Sequence, residues 1–187
     1  LVAEAKQLMA DAGYADGFDI ECSVSPGLLN STDVVQAIAS QLAQIGITVN
    51  INKVSTDEHT AYQFGEKLDA NGLRDYDMIM AGWEADYPDP SGNLTPLYQG
   101  GNSSNAAAYQ NDEVDKLIAD QAQSSDPTQR NDDMFQAFDI ITQDVPYVFL
   151  YYPVKNIAMN KAYTGVTMNA SWIWNIHFQS VHPVSEG

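Results

Sequence analysis

Phe18-Asp-Ile-Glu-Cys-Ser-Val24 alternates apolar and polar residues with a period of two and is closed by Pro26-Gly27, which reads as a β-strand. Ahead of it, Leu1, Ala5, Leu8 and Ala12 fall on one face of a helix over 1–12, and Gly13 is placed to end that helix. Behind it, Ser31 or Thr32 can cap a helix whose apolar positions Val34, Val35, Ile38, Leu42 and Ile45 repeat at three and four residues, up to Gly46. A second alternating stretch covers 47–54. Thr56-Asp-Glu-His59 opens a third helix running through Tyr62, Phe64 and Leu68 to a stop at Asn71-Gly72, and 76–83 reads as a third strand. Three helix–strand repeats in this order are what crossover connections need to build a parallel sheet covered by helices, so the class is α/β.

Beyond Trp83 the pattern changes. Residues 83–110 are rich in Pro, Gly, Asn and Tyr and read as one long loop, a length that inside a compact domain usually signals function. Helices are expected over 112–123 and 127–143, the first opened by Asp112, Glu113 and Asp115, the second by Asp126 ahead of Pro127 as cap and first position. Phe135, Phe138, Ile140 and Ile141 read as core. Residues 145–152 look strand-like, 157–160 can form a short strand, and 172–178 a last extended segment. There is no internal repeat and no interdomain linker.

With 25 acidic against 8 basic residues and a net charge of −17, the chain repels phosphate backbones and anionic membranes, which argues against nucleic-acid binding. Cys22 is the only cysteine, so an internal disulfide and a Cys–Cys metal pair are excluded. No apolar run approaches the roughly 20 residues that span a bilayer. The opening LVAEAKQLMADAGY is too polar and acidic for a signal peptide, and a start at Leu1 reads as a mature fragment or an excised piece, with any leader or lipid anchor upstream.

Ligands of open α/β sheets bind beyond the C-terminal ends of the strands, which points to the loops after Val24 and Trp83. The second is the richer: Gly82-Trp-Glu-Ala-Asp-Tyr-Pro-Asp-Pro-Ser-Gly-Asn93 sets an indole, a phenol and several carboxylates on a backbone stiffened by prolines. Aromatics beside acids suit a cation, an amine or a sugar; alternatively Trp83 and Tyr87 fill the core while Asp86 and Asp89 cap turns. Other chemistries lack their signatures. Glu84, Asp86 and Asp89 could supply the two carboxylates of a glycosidase, but so could many acid-rich loops. Gly-x-Ser-x-Gly, Walker and Gly-x-Gly-x-x-Gly motifs are missing. His59 is expected on a helix surface, and the spacing of His177 and His182 is not that of a zinc pair. The Asp86 to Asn93 stretch departs from the EF-hand order at Tyr87-Pro88. No metal, cofactor or turnover is expected.

Ala81-Gly-Trp-Glu-Ala-Asp-Tyr-Pro-Asp-Pro90, then Leu97-Tyr98, Asn105-Ala-Ala-Ala-Tyr109 and Asn111-Asp-Glu-Val-Asp-Lys-Leu-Ile118, resemble the C-terminal part of the family-5 solute-binding proteins, the class of the oligopeptide- and dipeptide-binding proteins. The likeness extends to the Ala-rich helix of 5–17, the Gly-Ile-Thr-Val junction within 42–49, and 126–150 with its Asp-Val-Pro-Tyr-Val-Phe-Leu, so it covers nearly all of the chain. It implies a type II periplasmic-binding-protein-like lobe, a parallel-rich mixed sheet flanked by helices. On this reading 1–187 is a single C-terminal lobe of a two-lobed clamp whose N-terminal part is missing. It implies an extracytoplasmic, monomeric subunit, in the periplasm or as a surface lipoprotein, that delivers solute to the permease subunits of an ABC transporter. In peptide-binding relatives the aspartate that matches Asp86 pairs with the ligand's α-ammonium group. Trp83 would line a side-chain pocket, Gly82 and Glu84 would bond the ligand main chain as an added strand, and Tyr87 lies beside them. Asn30, in Leu29-Asn-Ser-Thr32, matches a second pocket-facing segment. Met80 stands where one branch has a basic residue for the peptide carboxyl end, which leaves peptide length open. The family also binds nickel complexes and oligosaccharides, and Trp83 with Tyr87 could stack on a sugar.

Overall fold

The computed structural model describes residues 1–28, 31–65, 70, 74–154, 156–169 and 172–184. They divide into two compact units, one made of 1–82 and 100–109, the other of 83–99 and 110–187.

The first unit contains α1 (Val2–Asp11), β1 (Phe18–Val24), α2 (Ser31–Leu42), β2 (Ile47–Lys53), α3 (Thr56–Gln63) and β3 (Met78–Ile79). Its sheet has the order β2-β1-β3 and every pairing is parallel, Phe18 opposite Ile47 and Cys22 opposite Met78. The expected α/β layering is borne out. The alternation in β1 gives way to full burial at Cys22, Ser23 and Val24, because β1 is the central strand and its C-terminal half is covered on both faces. Cys22, Val24, Val35 and Met80 form the core, with Val34, Val49, Ile51 and Met78 packed against it. Burial also explains why the Cys22 thiol is pushed up to about 11.

Several expectations are corrected. Neither Ser31 nor Thr32 is a cap: Ser31 lies inside α2, and its buried hydroxyl donates 2.6 Å to the carbonyl of Ser25, pinning the loop after β1. The face of α1 at Leu1, Leu8 and Ala12 is exposed, and α1 buries no residue. Helix α3 ends at Gln63, since Gly65 turns left-handed at φ 73° and the Arg74 guanidinium donates to the carbonyl of Tyr62; Leu68 and Asn71-Gly72 lie outside the described residues. Arg74 also reaches the carbonyl of Asn105 at 2.8 Å, and the Tyr76 hydroxyl reaches that of Ala106 at 2.7 Å, which returns 100–109 to this unit.

The third strand is shorter than 76–83. Its start is fixed where Asp77 brackets Glu21, the backbone N–H donating to Glu21's carbonyl and the carboxylate accepting from Glu21's N–H at 2.8 Å. An unbroken ladder would carry on to the carbonyl of Met80; instead the His59 imidazole donates there at 2.8 Å, and Gln63, one turn further along α3, donates to the carbonyl of Gly82 at 3.1 Å. The helix spacing of four matches the strand spacing of two, so two side chains replace backbone partners. His59 is therefore 2% exposed, not on a helix surface.

Burial lowers the pKa of His59, opposed by the hydrogen bond to Met80. Because the folded value lies below the unfolded one of about 6.5, the stability tied to neutral His59 is present above that pH and is lost as pH falls through the folded value. Denaturation midpoints should thus drop between pH 7.5 and 5.5 more steeply in the wild type than in His59→Gln, which keeps a donor but cannot titrate. Equal slopes would refute the assignment.

The second unit contains α4 (Ser91–Tyr98), α5 (Asp112–Gln123), α6 (Pro127–Asp144), β4 (Tyr163–Thr164), β5 (Met168–Asn169), β6 (Trp172–Ile176) and β7 (His182–Pro183). Leu94, Tyr98, Val114, Ile118, Met134, Ala137 and Ile141 are buried. Tyr98 meets Phe138 and Tyr147 edge to face, with centroids 6.4 and 5.5 Å apart, and burial pushes its hydroxyl up to about 12. Helices α5 and α6 fall where the sequence places them. Asn111 caps α5 through the N–H groups of Glu113 and Val114, and Asp126 caps α6 through Thr128. Phe135, expected in the core, is 69% exposed. Residues 145–152 join no strand ladder among the described residues, because Val145 is consumed as the left-handed C-cap of α6 at φ 50°; 157–160 is not a strand either. The extended reading of 172–178 holds in β6, which pairs antiparallel with β5, while β4 pairs antiparallel with β7. Among the described residues, no helix is long and apolar enough to cross a membrane.

Candidate functional site

Between β3 and α4 the chain belongs to no helix or strand. From Ala81 to Asp86, the only main-chain group with a partner among the described residues is the carbonyl of Gly82, which accepts from Gln63. Unpaired donors and acceptors along an extended segment form a template for an added strand. Gly82 is exposed, Glu84 half-buried and Asp86 exposed, and the Asp86 carboxylate accepts no hydrogen bond among the described residues. Asn30 lies outside the described residues. No group of three or more potential metal ligands occurs among them.

The loop expected over 83–110 contains a helix, α4, in spite of Pro96 in its interior. Proline has no N–H to give the carbonyl four residues back, which here belongs to Gly92. The Trp83 indole N–H donates to that carbonyl at 3.0 Å and fills the gap. Trp83 is thus half-buried with its polar edge committed to the fold. Gly92 sits hard against the turn: a Cβ there would lie 3.1 Å from the Cβ of Ala85 and 3.4 Å from the ring of Tyr87.

Asp89 holds the other end of the turn. Its Oδ1 accepts from the Ser91 N–H at 2.9 Å and from the Ser91 hydroxyl at 2.6 Å, capping α4. Arg130 of α6 grips both oxygens, Nη1 to Oδ2 at 2.9 Å and Nη2 to Oδ1 at 2.6 Å. The Arg130 guanidinium, aided by Ser91, holds the Asp89 carboxyl well below the usual carboxylate range, against a smaller opposing effect of burial. The stability this gives is present above about pH 4 and is lost as pH falls through the lowered value. Tyr87 is 48% exposed, and its hydroxyl lies 3.3 Å from that of Ser91. The reading of Asp89 as a turn cap is therefore realised, and Asp86 is the carboxylate left open.

Sequence reasoning passed over Arg130, whose partner is 41 residues upstream. It also missed an apolar cavity of about 330 Å³ in the second unit, lined by Ile157, Met159, Tyr163, Ile176, Phe178 and Val181 among others. None of the candidate residues lines that cavity.

Residues 2–105, more than half of the chain, match the model of the bacterial extracellular solute-binding proteins, family 5 middle region. The chain belongs to this family. Among curated members, the glutathione-binding protein GsiB of Salmonella paratyphi A is 30% identical over 167 residues, 87% of this chain and 32% of that protein. Among solved structures, the periplasmic binding protein DppA of Helicobacter pylori, in complex with the peptide STSA, is 28% identical with a TM-score of 0.65, over 78% of this chain and 28% of that one. The dipeptide-binding protein of Pseudoalteromonas sp. SM9913, in complex with Met-Leu, covers 97% of this chain and 35% of its own with a TM-score of 0.75; at 23% identity it supports the fold alone. The expected type II periplasmic-binding-protein architecture is borne out by such neighbours. The chain spans about a third of the length of the curated relatives it matches.

Proposed function

We propose that the chain is the ligand-binding part of the extracytoplasmic solute-binding protein of an ABC importer, and that it captures peptides through their main chain and α-ammonium group. The observation that carries the reading is that, from Ala81 to Asp86, every backbone group except the carbonyl of Gly82 is unpaired among the described residues, and that the run ends on an exposed carboxylate with no partner among them. Such an edge recognises an extended main chain in any sequence, and the carboxylate fixes its direction by accepting from the amine. Gly82 and Glu84 supply backbone groups, Asp86 the charge, and Trp83 and Tyr87 the aromatic border; a ligand-binding role for Asn30 rests on the family resemblance alone. The peptide complex of the 28%-identical DppA of Helicobacter pylori supports the ligand class. The family is one of binding proteins, so release unchanged to permease subunits is expected in place of turnover, with the protein working as a monomer and without nucleic acid. The chain would form one C-terminal lobe of a two-lobed clamp.

Native mass spectrometry of the protein purified gently from its host, followed by ligand release and fragmentation, tests this reading. A ladder of peptide masses supports it and gives the length range. Oligosaccharide masses would transfer Trp83 and Asp86 to sugar recognition and overturn the peptide assignment.

A further inference from the structure

The turn that carries Asp86 is held at both ends, while the Asp86 carboxylate has no partner among the described residues. At its start, Trp83 is tied to Gly92 at 3.0 Å through the carbonyl that Pro96 leaves without a helical donor. At its end, Asp89 is tied to Ser91 and, through two parallel bonds of 2.9 and 2.6 Å, to Arg130. Between them Ala85 and Tyr87 lie against Gly92 closely enough that even a methyl group there would crowd them. The planar fork of the Arg130 guanidinium is committed to both oxygens of Asp89. The Asp86 carboxylate, exposed and without a hydrogen-bond partner among the described residues, sits between these two anchors.

We propose that Arg130 and Asp89 are positioning residues for the amine site: they touch no ligand, and by fixing the turn on α4 and α6 they present the Asp86 carboxylate ready-aimed at an incoming ammonium group. This rests on the peptide reading given above. Its physical content is preorganisation, since a turn already rigid before binding loses little conformational freedom when the ligand arrives. A loose turn would have to be ordered by each ligand, and the loss would fall on the contact that needs aim, the charged hydrogen bond, more than on main-chain pairing.

The test uses the protein as its host makes it, titrated by calorimetry with tri-alanine and with N-acetyl-tri-alanine, and the readout is the ratio of the two affinities. Arg130→Met should lower the affinity for tri-alanine on the order of tenfold and leave the acetylated peptide nearly unchanged, so the ratio falls about tenfold. Arg130→Lys keeps the charge without the fork and should fall between wild type and Arg130→Met. If Arg130→Met does not fold, Arg130→Lys alone decides, with a lowered ratio expected. An unchanged ratio overturns the proposal, whether both affinities stay the same or both fall together with thermal stability, as for a merely structural residue. Asp86→Asn run in parallel separates the two readings. If it collapses the ratio and the Arg130 variants do not, only the positioning role is lost. If it too leaves the ratio unchanged, the amine site itself is wrong and the positioning role falls with it.

Discussion

Gly17→Ala should destabilise the first unit by roughly 2–5 kcal/mol, a sum of two separable costs. Gly17 has φ 79° and Gly46 has φ 91°, and a Cβ on Gly17 would lie 1.9 Å from the carbonyl oxygen of Gly46. These glycines stand directly ahead of Phe18 and Ile47, the first paired residues of two adjacent parallel strands, so their backbones meet where both strands begin. The left-handed conformation costs an alanine about 1–2 kcal/mol. Moving one backbone off another adds about 1–3 kcal/mol, as overpacking does elsewhere. Two controls divide the sum. Gly13→Ala, at φ 87° with nothing within 4 Å of the added carbon, should lose only the conformational part. Gly27→Ala, which meets nothing and needs no positive φ, should stay within about 0.5 kcal/mol of wild type. Urea denaturation of the three variants checks the order; a Gly17→Ala protein no less stable than Gly13→Ala would remove the steric argument.

Asp86→Asn should weaken binding of peptides with a free N-terminus by about ten- to a hundredfold and hardly alter binding of N-acetylated ones. A charge-assisted hydrogen bond contributes roughly 1.5–3 kcal/mol net, and each 1.4 kcal/mol is a factor of ten. The substitution keeps the shape of the side chain and removes only its charge. Since Asp86 is exposed, the effect should shrink as salt is raised unless ligand binding itself excludes water. Calorimetry at two ionic strengths, with free and acetylated forms of one peptide, gives four affinities. Equal loss for both forms would exclude an ammonium at this carboxylate.

The elements legible in the sequence are those whose cause is local. β1 and β2 alternate, α2 and α5 carry apolar stripes at three and four residues, and Asp126-Pro127 announces α6. What was missed depends on partners far along the chain. Helix α4 hides behind Pro96 and a polar start, yet its cap uses the device seen at α6: the Asp-Pro pair at 89–90 directs a carboxylate to the N–H two residues on, as does that at 126–127. That signal was present and went unread. β3 stops early because an imidazole from α3 takes the next carbonyl, and nothing around Met80 records this. Phe135 is exposed although periodicity places it inside, since a repeat of three and four residues does not fix how wide the buried face of α6 is. For the site, the sequence marks the turn and its chemistry through family likeness. The division of labour between Asp86 and Asp89 is marked locally by the Asp-Pro pair at 89–90 and completed by an arginine 41 residues further along, which only three-dimensional contacts reveal.

The bond from Trp83 to Gly92 ties the fate of two residues that are thirteen positions apart in the numbering. A chain that lost the indole would carry an orphaned carbonyl in the first turn of α4, and replacing Pro96 with a residue bearing an N–H would repair it from within the helix. Conversely, proline at this position costs less when the indole is there to donate to the carbonyl it leaves without a helical partner. The helix that borders the site is thus energetically coupled to the residue that opens the turn, and the effect of a substitution at either position depends on what occupies the other.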